Sequence, residues 1–120
     1  MRPVHPNAMT LGWVIMPALL AFVLFYSLAF HMHHELGHWP KTIGEAGFSS
    51  VLTFHAYLAT LYWGIWVILM IFLWPIALLA CLWPSRRKYL LYVGIHALSF
   101  FVAVGLMQMA PSGYLFWWWD

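Results

Sequence analysis

The chain has 120 residues, of which 65% are hydrophobic, 20% aromatic and 7% charged, with a formal net charge of +2. A soluble domain of this size buries only a little over half of the surface its unfolded chain exposes, so the composition excludes a water-soluble globule. So small a positive charge gives no ground for nucleic acid as a partner. The solvent for most of the chain is the lipid bilayer.

Three apolar runs lie between the few charges, residues 11–30, 51–83 and 89–110, each long enough to cross a membrane. They predict an all-α integral membrane protein with three transmembrane helices, about 11–31, 51–83 and 89–110, forming one three-span domain over residues 1–120. The first run is long for a secretory signal, and the flank at His31 has no small-x-small cleavage pattern. It reads as a retained helix.

Arg2 precedes the first run and Arg86-Arg87-Lys88 joins the second to the third. In a three-span protein these two regions share a side, and the positive-inside rule makes that side the cytoplasm. The expected topology is therefore N-terminus inside and C-terminus outside, and the expected location is the bacterial inner (cytoplasmic) membrane, multi-pass. On the outer side Lys41 is the only fixed positive charge, beside Glu35, Glu45 and Asp120. Trp13, Trp83 and Tyr89 fall at the inner boundary and Trp39, Tyr114 and Trp117-Trp118-Trp119 at the outer one, where amphipathic rings are enriched.

The second run would reach roughly 50 Å as a helix, against a hydrocarbon core of about 30 Å. Pro75 removes a backbone donor and predicts a kink there, with Pro84 ending the segment. Within this run Ala56, Thr60 and Gly64 recur every four residues, a small-xxx-small stripe that lets another helix approach closely. Trp63 and Trp66 lie at mid-membrane depth, where an indole N–H finds no water, so both are expected to face protein. These five residues are the expected partner-packing surface. Cys81 is the single cysteine and forms no internal disulfide. The connection from 31 to 50, with Gly37, Pro40, Gly44 and Gly47, predicts a compact, turn-rich loop.

His34-Glu35-Leu36-Gly37-His38 fits the H-E-x-x-H pattern, in which two imidazoles one helical turn apart hold a metal and the carboxylate acts on its bound water. On a continuous helix His31, His34, Glu35 and His38 share one face and His33 points away. Pro40 disfavours helix at Trp39, which makes His38 about the last position that qualifies. A catalytic zinc needs a third protein ligand, and Glu45, His55, Asp120 and neighbouring His31 are the same-side candidates. His5 is excluded by sidedness and His96 by depth. The five residues resemble the zinc metalloprotease motif, and their place at a membrane helix is similar to the site-2 protease family. That resemblance implies a membrane-embedded zinc hydrolase with His34 and His38 as ligands and Glu35 as general base. The family's Asp-Gly element on a later helix has no counterpart, because Asp120 is the only aspartate.

The Leu36-Gly37-His38-Trp39-Pro40 segment, the three-span layout and the Phe116-Trp117-Trp118-Trp119-Asp120 end are similar to small bacterial three-helix membrane proteins of no assigned function. That likeness implies no activity. His55 and His96, the remaining membrane histidines, raise single-haem or pigment binding as another possibility. A shared haem is excluded, because on straight helices their depths differ by more than roughly 10 Å. The reading that accounts for most of the chain is a non-enzymatic accessory or structural subunit, without a cofactor of its own. It would pack against other transmembrane subunits of a larger complex, of which bacterial respiratory and photosynthetic assemblies are the expected hosts. The zinc hydrolase and the haem or pigment subunit are the two alternatives.

Overall fold

Asn7 opens the first helix by accepting the Met9 N–H on its side-chain oxygen at 3.1 Å. The computed structural model describes residues 7–42 and 44–120; Arg2 and His5 lie outside them. Helix α1 (Ala8–Leu36) ends at Gly37, which adopts φ 71° and returns its N–H to His33 O. A residue with a Cβ is strained in that left-handed cap. Ser49 then caps α2 (Ser50–Ala80), accepting the Leu52 N–H at 3.0 Å. A 3-10 turn, Pro84–Tyr89, carries the Arg86-Arg87-Lys88 cluster into α3 (Leu90–Met107), and a short α4 (Ser112–Trp119) closes the chain. No strand occurs among the described residues.

Three of these segments, Ala8–Leu36, Ser50–Ala80 and Pro84–Met107, are long and apolar enough to cross a membrane. The bundle they form is 59 Å long and 25 by 23 Å across. Helix α1 is central and packs along both neighbours, while α2 and α3 meet each other far less. Loop 37–49 and α4 lie at one end, called here the loop end; Asn7 and the Arg86-Arg87-Lys88 turn lie at the other, the basic end.

The distribution of side chains is the reverse of a soluble protein's. Ala18, Ala21, Ala29, Ala59 and Ala103 are buried, whereas Ile68, Ile71, Phe72, Leu98 and Phe101 are exposed. Lipid is as apolar as leucine, so large apolar side chains gain little from burial, and small ones bring backbones into van der Waals range. Two buried clusters result. Phe25, Leu28, Met32, Leu52, Met107 and Tyr114 fill the loop end, and Ala18, Ala21, Trp66, Met70 and Ala103 fill the middle.

The helix bounds differ in detail from the sequence reading. Helix α1 continues past residue 31 to Leu36, because nothing before the left-handed Gly37 interrupts its hydrogen bonding. Helix α2 contains Pro75 and ends at Ala80, before the turn that leads into Pro84. The aromatic tail, outside the three expected spans, is helical and folds back onto the bundle.

Gly113 allows that return. A Cβ at this position would lie 2.7 Å from Pro40 O and 3.4 Å from Trp39 Cβ, so α4 rests directly on the loop backbone. Gly113→Ala is expected to lower stability by about 1–3 kcal/mol, the usual cost of overpacking against rigid backbone. A thermal melt in detergent micelles checks it. An unchanged midpoint would mean that α4 does not rest on Pro40.

Candidate functional site

Five polar side chains of the loop end, Ser27, His31, Glu35, Ser49 and His55, form one hydrogen-bonded chain. Ser27, His31 and Glu35 are spaced four apart on α1 and so present one face. His55 of α2 meets that face from the opposite side. Its Nε2 is 3.1 Å from Ser27 Oγ, and its Nδ1 is 2.9 Å from His31 Nδ1. His31 Nε2 is in turn 3.1 Å from Glu35 Oε1. The Ser49 hydroxyl donates to the same carboxylate oxygen at 2.8 Å while accepting the Leu52 N–H. One hydroxyl therefore caps α2 and holds the end of α1. At the deep end of the chain Ser27 Oγ donates to Leu24 O at 3.0 Å.

The H-E-x-x-H residues are not assembled as the motif requires. Gly37 ends the helix one residue before His38, so His34 and His38 do not share a helical turn. His38 turns into the loop, where its Nδ1–H donates to Trp39 O at 2.8 Å and its Nε2 lies 3.2 Å from Glu45 Oε1. Glu45 also accepts the Lys41 N–H, so it organises the loop. His34 and Asp120 are exposed, and His33 packs at a tilt against Trp39 with ring centres 4.5 Å apart. Among the described residues no three His, Cys, Asp or Glu side chains come close enough to hold a metal ion.

His96 belongs to a different part of the bundle. Its Nδ1–H donates to Val14 O at 2.7 Å and its Nε2 lies 2.8 Å from Met70 Sδ, so one ring ties α3 to both α1 and α2. Both nitrogens of His55 are engaged as well. Three tyrosines make comparable ties. Tyr62 donates to Pro17 O at 2.9 Å, Tyr26 to Leu106 O at 2.6 Å, and Tyr114 to Phe25 O at 2.7 Å. Pro17 lacks an N–H to offer Trp13 O, and donors from neighbouring helices fall on the carbonyls around it, as the dry bilayer requires.

Of the expected partner-packing residues, Trp66 is 4% exposed and Trp63 partly buried, both against the chain's own helices. Trp63 stacks on Phe100, with ring centres 6.0 Å apart, and the edge of Trp66 meets the same ring at 5.1 Å. The stripe behaves differently. Ala56 is partly buried, but Thr60 is exposed with its hydroxyl returned to Ala56 O, and a Cβ at Gly64 would meet nothing within 4 Å.

Sequence reading did not single out Ser27 or Ser49. The signal for Ser27 was its four-residue spacing from His31 and Glu35; Ser49 carries the signature of an N-cap before an apolar run. Comparison with protein-family models, curated proteins and solved structures gives no match. The functional reading therefore rests on the geometry.

Proposed function

We propose that the chain is an accessory transmembrane subunit that packs alongside other subunits of a larger complex, respiratory or photosynthetic, in the bacterial cytoplasmic membrane. The observation that carries this reading is the face of α2 bearing Thr60 and Gly64. It has the small residues of a close helix contact, yet Thr60 is exposed and a Cβ on the half-buried Gly64 would meet nothing of this chain within 4 Å. Little of the described chain lies outside the three apolar helices, apart from loop 37–49 and α4. The proposed orientation, basic end inside, follows from Arg86, Arg87 and Lys88 gathering at one end, by the positive-inside rule.

Purification from native membrane in mild detergent, with identification of every co-purifying chain, tests the reading. Stoichiometric transmembrane partners are expected, and a chain that runs alone as a monomer would overturn it. Gly64→Ala sharpens the test, because an added Cβ meets nothing within 4 Å in this chain. The variant is expected to lose roughly tenfold or more of its partners, a cost of about 1.4 kcal/mol at the contact. Undiminished recovery of the partners would move the contact to another face.

A further inference from the structure

We propose that Glu35, His31, His55 and Ser27 form a proton-binding relay, which takes up one excess proton at the loop end and shares it between two imidazoles in the α1–α2 interface. The inference does not depend on the subunit reading, since all four residues belong to this chain.

The argument is a count of protons. Four successive contacts, Glu35 to His31, His31 to His55, His55 to Ser27 and Ser27 to Leu24 O, each need one proton between their heavy atoms. With Glu35 ionised, two neutral imidazoles bring one ring proton each and Ser27 brings its hydroxyl proton, which leaves the chain one short. In that neutral state Ser27 turns its proton to His55 Nε2 and gives up Leu24 O. Adding one proton completes every contact. His31 then donates from Nε2 to Glu35 and from Nδ1 to His55, and His55 donates from Nε2 to Ser27, which donates to Leu24 O. Both states use the same heavy-atom positions. A second excess proton does not fit, because two N–H groups cannot face each other across the 2.9 Å between the Nδ1 atoms.

The excess proton is also mobile. When the N–H bond at His31 Nδ1 breaks and one forms at His55 Nδ1, the positive charge passes from the first ring to the second. All four contacts remain made, with His31 now accepting at Nδ1. The proton has moved from the ring beside the exposed Glu35 to the half-buried ring on α2 that contacts Ser27. Glu35 favours the first position by its charge, and Ser49 fixes the carboxylate by donating to it.

The other groups at this end are already engaged or stand off. Glu45 is committed to His38 and the Lys41 N–H, Tyr26 to Leu106 O and Tyr114 to Phe25 O, while His33 packs against Trp39. His34, next to Glu35 in sequence, is exposed, and α3 brings no charged side chain into hydrogen-bond contact with the pair.

The test is nitrogen NMR of the full chain with labelled histidine, in lipid nanodiscs, titrated from neutral to acid pH. His31 and His55 are expected to take up one proton in a single shared step, both sets of ring signals moving together. Glu35→Gln is expected to weaken that step roughly threefold to tenfold, the modest effect of removing a partly exposed counter-charge. His34→Ala is expected to leave it unchanged. If Glu35→Gln fails to fold by circular dichroism, Ser49→Ala withdraws a donor from the same carboxylate, leaves its charge less neutralised, and is expected to shift the step in the opposite direction, toward higher pH. Two independent uptake steps, or one indifferent to both Glu35→Gln and Ser49→Ala in folded protein, would overturn the proposal. So would a stoichiometric transition metal found in place of the shared proton.

Discussion

Tyr114→Ala is expected to release α4 from the bundle and to lower stability by about 3–5 kcal/mol, the range for truncating a fully buried aromatic residue. An eight-residue helix is far too short to persist alone, so α4 exists because Tyr114 anchors it. Its ring is fully buried against Phe25, with centres 4.8 Å apart, and against Trp117 and Trp118. Its hydroxyl donates to Phe25 O. Burial, with Tyr26 nearby adding to it, holds this phenol above its ordinary range, so it keeps its proton and remains a donor well into alkaline solution. Tyr114→Phe keeps the ring and loses the donor, and is expected to cost only about 1 kcal/mol. Cleavage of the tail by chymotrypsin in detergent separates the two. Fast cleavage in Tyr114→Ala and near-native protection in Tyr114→Phe are expected; equal protection of both would mean that α4 is held by something else.

The three long helices were legible because hydropathy over some twenty residues is a signal that tertiary contacts do not alter. Helix α4 was not, because Phe116-Trp117-Trp118-Trp119 is apolar on every side and carries no helical period. A run of interfacial aromatics and a docked helix read alike in such a stretch, and only the fit of Gly113 over Pro40 distinguishes them.

The same contrast holds at the site. The contact between His31 and Glu35 follows from their spacing on one helix. That His55 completes it depends on how α2 is rotated against α1, which the sequence of neither helix states. The helix that the H-E-x-x-H pattern presupposes stops at Gly37, which stands inside the pattern and supplies the left-handed conformation that ends it. The pattern constrains residue types, but the metal chemistry requires a helix through all five positions. The depth argument against a shared haem agrees with the partners found, His55 bonding near the loop end of α1 and His96 near its start.

Trp66→Ala is expected to lower stability by about 2–4 kcal/mol, less than a soluble core would lose for the same change. In lipid the transfer of apolar surface out of water drops out, and the remaining cost is the cavity and the lost dispersion contacts. Those contacts are many, because Ala18 and Ala21 of α1 and Ala103 of α3 form a socket of small residues around the indole. The Trp66 Nε1–H has no acceptor inside that socket. Trp66→Phe therefore removes an unpartnered donor along with part of the ring, and is expected to remain within about 1 kcal/mol of the parent. Unfolding in mixed micelles by increasing sodium dodecyl sulfate reads both variants. Partner recovery from native membrane supplies the second axis: because Trp66 is covered by its own chain, association is expected to fall only as far as folding does. If Trp66→Ala folded as stably as the parent but lost its partners, the indole would have to face another subunit, and the socket formed by α1 and α3 would be wrong.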